Sequence, residues 1–509
     1  MARPIAYTKK VNRGAKIVSY LKDKSTVEVT LYPGDIVTDL SYVENGEIKK
    51  VTGKIKTISH YFKSITNKPN RNGKSHLSVD ALVSSIIIDA STEYESRIVD
   101  IPVKEILEYG TSETVTKVRV LPIMNVDFSV IMSDKTVSET TFEEDSNLFG
   151  VTIMEKGNEI QKDLRIVSFK HIYSNGNKQV DVVGLIVEMD GAYVSIPFES
   201  IKSVGKEGIK VESVENLNSI LTTAGSSDKV GGVVLPAAIA SDPLTVSGSL
   251  TVQGVKAAVP ANVGERASSK IGDDETVFSG EITCTEGSEI VITGVTLTED
   301  AIVVMGKPET LTFKNCKFTG VTPVDVKTYL LKDGSFSDIS TKLIVENCYF
   351  GENASTESNK MYNLIELHTK LADGSRIANN YFEKSACNHN IINMYDVDDG
   401  ATITIENNVF EYSGNAVRIG FINSPKCTVN IRNNTYMETD KSNDGAWAGI
   451  LIIQPYGTRT VTMADCVINL DGNKGDESEQ LWYTYCGPSD TQLDDTTKPK
   501  VYVNGVLQK

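Results

Sequence analysis

The feature that most constrains this chain is an imperfect repeat in its C-terminal half. Six copies share one pattern: Leu311-Thr-Phe313-Lys-Asn315-Cys316-Lys-Phe318, Leu343-Ile-Val345-Glu-Asn347-Cys348-Tyr-Phe350, Ser375-Arg-Ile377-Ala-Asn379-Asn380-Tyr-Phe382, Ile403-Thr-Ile405-Glu-Asn407-Asn408-Val-Phe410, Val429-Asn-Ile431-Arg-Asn433-Asn434-Thr-Tyr436 and Val461-Thr-Met463-Ala-Asp465-Cys466-Val-Ile468. The fifth positions fall at 315, 347, 379, 407, 433 and 465, so the intervals are 32, 32, 28, 26 and 32 residues. A degenerate earlier copy reads Ile292-Thr-Gly294-Val295-Thr-Leu297. Self-similarity at such a period marks stacked units, none of which can bury its apolar face alone.

Inside each copy the first and third positions are apolar, which places them on one side of a strand because side chains alternate. The parity breaks at the Asn, a residue that tolerates the left-handed region and so bends the chain between two short strands. A second apolar run follows in most intervals: Leu364–His368, Ile391–Tyr395, Ala416–Gly420 and Gly449–Ile453. Strand, bend, strand, loop and strand per copy resembles the right-handed parallel β-helix of the pectin-lyase-like superfamily, which includes the shafts of bacteriophage tailspikes and fibres. The resemblance covers roughly residues 275–490 and speaks for fold, not chemistry. The inward parity of the repeat positions leads to the expectation that Asn315, Asn347, Asn379, Asn407 and Asn433 form an internal hydrogen-bonded ladder, and that Phe318, Phe350, Phe382, Phe410 and Tyr436 stack beside it.

The rest of the chain is expected to be β-rich as well, giving a mostly all-β protein with duplicated small β modules and short helices. Residues 1–24 carry Arg3, Lys9, Lys10, Arg13, Lys16, Lys22 and Lys24 against Asp23, a local charge of 7 − 1 = +6 in a chain of net charge −16. That asymmetry reads as an extended basic arm lying on an acidic protein surface, with a solvated tail as the plain alternative. Residues 25–115 and 116–223 read as two β modules, because the ending Ile98-Val-Asp-Ile101-Pro102-Val103-Lys-Glu-Ile106 returns as Tyr193-Val-Ser-Ile196-Pro197-Phe198-Glu-Ser-Ile201. Residues 224–274, rich in small residues, read as a neck where copies intertwine or as a linker. The repeat region spans 275–490. Residues 491–509 form a tail that caps the last copy, with a hairpin on Asn504-Gly505.

An acidic net charge argues against a nucleic-acid partner, since phosphate binding needs clustered Lys and Arg. Seven Cys without close pairs are poor material for a disulfide framework. Met-Ala-Arg-Pro begins no apolar leader, and the stretch Val230–Ala240 is too short and too interrupted to span a bilayer, so neither export nor membrane insertion is expected.

Chemistry on the repeat would need paired carboxylates. Aligning the second runs puts Glu366, Asn393, Arg418 and Leu451 in one outward column, and His368, Tyr395, Gly420 and Ile453 in the next. Glu366 is the only acid in either; Asp396 lies one copy on and three residues along, roughly 11 Å away. Glycosidase carboxylates stand about 5–9.5 Å apart, so Glu366 and Asp396, with Arg418 nearby, make a poor catalytic set. Asp396-Val-Asp398-Asp399-Gly400 lacks the Gly and Glu of a calcium loop, and no metal or cofactor motif occurs. Trp447, Tyr456, Trp482 and Tyr483 lie outside the ladder and are the candidates for a glycan-contacting patch.

Together with the resemblance, these features lead to a bacteriophage virion structural protein, made in the host cytoplasm and carried on the particle. A capsid decoration or head-fibre protein is favoured, docked through Arg3, Lys9, Lys10, Arg13 and Lys16 on other virion proteins of the capsid or tail. It is expected to associate as a trimer or dimer and to contact host-surface polysaccharide. The alternative is a tailspike or tail-fibre depolymerase or lyase acting on that polysaccharide.

Overall fold

A computed structural model describes residues 3–69, 75–174, 179–255, 271–285, 289–298, 303–305, 308–318, 324–326, 340–351, 363–383, 390–411, 415–420, 426–437, 449–453, 463–475, 482–484 and 496–508. The chain divides into two compact units, Met1–Glu207 and Gly208–Lys509. Strands dominate both, and the one α-helix among the described residues is Leu217–Gly225.

The first unit is built twice. Each half runs a long strand, a hairpin strand, three further strands, a short strand, one 3-10 turn and a last short strand; the halves begin at Pro4–Leu21 and Val115–Met132. Turn residues recur at one offset: Lys24 and Lys135, Gly46 and Gly157 all have positive φ, and 135 − 24 = 157 − 46 = 111. His60 and His171 share that offset.

The two long strands pair antiparallel along almost their whole length, from Pro4↔Met132 to Leu21↔Val115, crossing at Arg13↔Met124. Each is shared between two cores. Ala15 and Ile17 lie in the core of the first half, with Val118 and Val120 against it. Val126, Phe128 and Val130 lie in the core of the second, with Val11 against it. The expected arm is thus, over Pro4–Leu21, a strand of this chain's own sheet. Ala15 and Ile17 are fully buried on this chain's own sheet, because apolar residues at alternate positions of a central strand must be covered on at least one face. For the same reason the boundaries expected at 24 and 115 fall inside shared structure.

The second unit consists of three parallel sheets visited in turn, so that each strand pairs with the one three later in the chain. The first sheet runs from Val230–Val234 through Leu250–Gln253 and Glu289–Thr293 to Val467–Asp471 and Lys500–Val503. The second pairs Ile239↔Val277 at its start and Tyr436↔Gly475 at its end. The stretch expected to be a neck therefore supplies the opening rungs: Gly232↔Thr251 and Leu244↔Ile282 are parallel partners. Small residues there allow close approach between rungs of this chain. The helix Leu217–Gly225 buries Leu217, Leu221 and Ala224 in the same core. At the other end Tyr502↔Leu507 and Val503↔Val506 close the expected hairpin, with Asn504 and Gly505 both at positive φ.

The bend works as the sequence suggested. Asn315, Asn347, Asn379, Asn407 and Asn433 have φ of 54°, 54°, 58°, 55° and 55°. The hydrogen-bonded ladder, however, belongs to the next residue. Asn380 Nδ2 donates to Asn408 Oδ1 at 3.0 Å, Asn408 to Asn434 at 3.0 Å and Asn434 to Asn473 at 3.0 Å. Each second amide hydrogen goes to a backbone carbonyl of the preceding rung: Val345, Ile377 and Ile405. A left-handed Asn directs its backbone outward; its successor turns into the core and takes up the polar groups that the bend leaves unpaired. In the two preceding rungs Cys316 and Cys348 fill that place, their thiols donating to the Ile292 and Phe313 carbonyls at 3.3 and 3.6 Å. The rings stack as expected, with centroids 4.4 Å apart for Phe318–Phe350, 4.5 Å for Phe350–Phe382 and 4.9 Å for Phe382–Phe410.

The sixth copy is displaced. Ile468 pairs with Val429 and Asp471 with Arg432, so Gly472, at φ 65°, occupies the bend and Asn473 the ladder. Asp465 and Cys466 precede the strand, and the matching pattern at 461–468 is coincidental in register.

Candidate functional site

The third sheet carries the polar face on which chemistry was sought. Its strands Val324–Val326, Asn363–Leu371, Asn390–Val397, Asn415–Ile419 and Gly449–Ile453 are in parallel register. Glu366, Asn393 and Arg418 do share one column, which continues to Ile452 and not to Leu451. Arg418 Nη1 donates to Asn393 Oδ1 at 3.1 Å. These two residues alternate with the core side chains Ile392, Met394, Val417 and Ile419 and so stand on the opposite face, yet they are only 1% and 7% exposed.

Asp396 is equally enclosed, at 1% exposure, and its Oδ1 accepts the Val397 N–H at 2.9 Å. A bulge between Leu367 and Lys370 shifts the register by one, so that Asp396 faces Lys370, well along the strand from the Glu366 column. Enclosure removes Asp396 and Arg418 from direct reach of a sugar ring. Both are paired within the sheet.

The column contains a second acid that the sequence alignment overlooked. Asp325 is the register partner of Glu366 on the preceding rung. Facing positions on adjacent strands are about 4.8 Å apart along the backbone, so the two acids hold neighbouring places in one column. The strand Val324–Val326 has three residues, too few to show alternation, which is why it went unseen.

A buried charged centre lies in the second sheet, where Thr296, Lys317 and Tyr349 are successive register partners. Lys317 Nζ stands 3.7 Å from Glu275 Oε1, both side chains nearly inaccessible, and Thr296 Oγ1 donates to Glu275 Oε2 at 2.5 Å. Burial pushes the Lys317 pKa down, against the pull of the Glu275 carboxylate. The centre is closed and fits a structural role.

Three of the five basic residues expected to dock on a partner face acids of this chain. Lys9 pairs with Asp181 at 3.1 Å, also reaches the Val182 carbonyl and lies 5.6 Å from the Phe198 ring centre. Lys10 faces Asp127 at 3.9 Å and Lys16 meets Glu28 at 2.9 Å. The Arg3 N–H donates to Ser133 Oγ and the Ser133 N–H to the Arg3 carbonyl, and Arg13 adds its charge to the burial that depresses the His171 pKa. Lys9, Lys10 and Lys16, three of the seven cations, are thus met by acids brought alongside by folding.

Of the aromatic candidates, Trp482 and Tyr483 fall on the third sheet opposite Leu451 and Ile452. Trp447 and Tyr456 lie outside the described residues. Among those described there is no group of three or more metal-ligating side chains and no helix long and apolar enough to cross a membrane. No family model, curated protein or solved structure matches the chain.

Proposed function

We propose that the chain is a bacteriophage virion structural protein, a capsid decoration or head-fibre protein. Residues 208–509 are read as a right-handed parallel β-helix exposed on the particle, and residues 1–207 as the base that docks on other virion proteins. The observation that carries this reading is the continuous internal bonding of the second unit, where repeat positions go to an amide ladder and a ring stack. Such a stack supplies stiffness and length. The base offers apolar contacts in Ile36 and Ile48, 72% exposed, and Tyr94, 92% exposed. Association as a trimer or dimer and contact with host-surface glycan belong to the same reading.

Labelling intact particles with antibodies to each unit, and imaging them by electron microscopy, tests it. Label on the shell is expected. Label at the tail tip would replace the decoration reading with the tailspike one, and particles lacking the protein would end both.

A second reading, polysaccharide hydrolysis, is favoured by the Asp325–Glu366 register alone. It requires release of reducing ends from a purified capsular glycan, abolished in both Asp325→Asn and Glu366→Gln. Equal activity in either variant would remove the pair from consideration.

A further inference from the structure

We infer that Cys427 and Cys466 form a latent cross-rung disulfide, two thiols placed to be joined by a peroxide-class oxidant when the chain passes from reducing to oxidising surroundings. The inference does not depend on the virion reading. The strands Cys427–Arg432 and Val467–Asp471 pair in parallel from Thr428↔Val467 onward, so one step back sets Cys427 opposite Cys466. Facing positions on adjacent strands lie about 4.8 Å apart, within the ~4.4–6.8 Å between Cα atoms that a disulfide spans. Both residues belong to the continuous core of the second unit, at 4% and 0% exposure.

The two sulfurs already interact. Their side chains are coupled: the contact with Cys466, with burial behind it, raises the Cys427 pKa, and the contact with Cys427 lowers that of Cys466. The arrangement is that of an attacking thiolate beside a resolving thiol. Cys316 and Cys348 also stand one rung apart with coupled side chains, but their thiols have the carbonyls of Ile292 and Phe313 as acceptors as well.

The place in the fold gives the link a purpose. The Cys466 carbonyl accepts the Lys500 N–H of the terminal rung at 2.9 Å, so the pair sits where the stack ends. End rungs have neighbours on one side only and open first. Opening admits a small oxidant, and a covalent link between rungs then opposes further fraying.

The step balances. The Cys466 thiolate attacks one oxygen of hydrogen peroxide; the O–O bond breaks, the departing hydroxide takes up a proton as water, and a sulfenic acid remains. The Cys427 sulfur then attacks that sulfur, the S–S bond forms, the S–O bond breaks and a second water leaves. Two thiols lose two electrons in all, and one peroxide gains them.

The full chain, reduced and desalted, would be treated with hydrogen peroxide, alkylated and digested without reductant. Mass spectrometry is expected to show the Cys427 and Cys466 peptides joined and two hydrogens lighter than their sum. The thermal midpoint of the second unit should rise by roughly 5 °C, return on reduction, and not rise in Cys427→Ala. Overoxidation of Cys466 with Cys427 still alkylatable, or a link from either residue to Cys387 or Cys486 instead, would overturn the inference. The peptide map on the unaltered chain decides this even if the variant folds poorly.

Discussion

Replacing Asn408 by Leu should be among the most damaging single changes in the second unit, although it exchanges one buried side chain for another of similar size. Asn408 is 1% exposed. Its Oδ1 accepts the Asn380 N–H at 2.9 Å and the Asn380 Nδ2 at 3.0 Å; its Nδ2 donates to the Ile377 carbonyl at 2.9 Å and to Asn434 Oδ1 at 3.0 Å. Two of the four partners keep another bond: Asn380 Nδ2 retains the Val345 carbonyl, and Asn434 Oδ1 retains the Asn408 N–H. The Asn380 N–H and the Ile377 carbonyl each lose a partner deep in the core. A buried group stripped of its partner costs about 1–3 kcal/mol, and the extra apolar surface of Leu returns about 1 kcal/mol. The expected loss is roughly 3 kcal/mol. Both Trp residues lie in the second unit by sequence, so Trp fluorescence during guanidinium unfolding follows that unit. Hydrogen exchange at the Asn380 amide should speed up in parallel. A loss below about 1 kcal/mol with that amide still protected would refute the claim that the ladder, and not the apolar stack, holds the rungs in register.

At the bend one residue earlier the opposite chemistry applies: Asn379→Gly should be nearly neutral and Asn379→Val should cost about 1–2 kcal/mol in the same unfolding assay, because φ is 58°. Lys317→Met should destabilise by about 3–5 kcal/mol by stranding the Glu275 carboxylate, whereas the double variant with Glu275→Leu should recover most of that loss. Glu406 lies between Arg376 and Arg432, at 2.9 and 2.7 Å. Burial raises its pKa, but the two guanidinium groups outweigh burial and hold it below the ordinary value of 4.5. A depressed carboxylate contributes stability above its unfolded pKa and loses it as pH falls through the folded one. Unfolding midpoints measured from pH 6 downward should therefore fall less steeply in Glu406→Gln.

The repeat was legible because strand alternation and a left-handed Asn leave marks in the sequence that do not depend on neighbours. The positive φ at Asn315 through Asn433 was readable for that reason. What the amides bond to was not: the ladder at Asn380, Asn408 and Asn434 depends on which side chain faces inward after the bend, a fact of three-dimensional turning. The sixth copy failed because Asp465-Cys466 imitates the motif while Gly472-Asn473, which performs it, has no Asn at the bend. Composition misled at Val230–Val234, where small residues signify tight rungs within one chain. The charge of residues 1–24 misled likewise, since Asp127 and Asp181 lie far off in sequence and meet Lys10 and Lys9 only after folding. Of the candidate site, Glu366 was found, and its facing acid Asp325 was hidden in a strand too short to announce itself.

The shared strands of the first unit govern the order in which it can be made. Ile17 and Leu31 are available early in synthesis, but the sheet beneath them is completed by Val118 and Val120, from a strand that begins at Val115. A nascent chain that has emerged only to residue 110 holds an open apolar surface, and so would a fragment expressed to that point. The two halves are therefore obliged to mature together, and a ribosome stalled between them would leave a product fit for a protease or a chaperone but for little else.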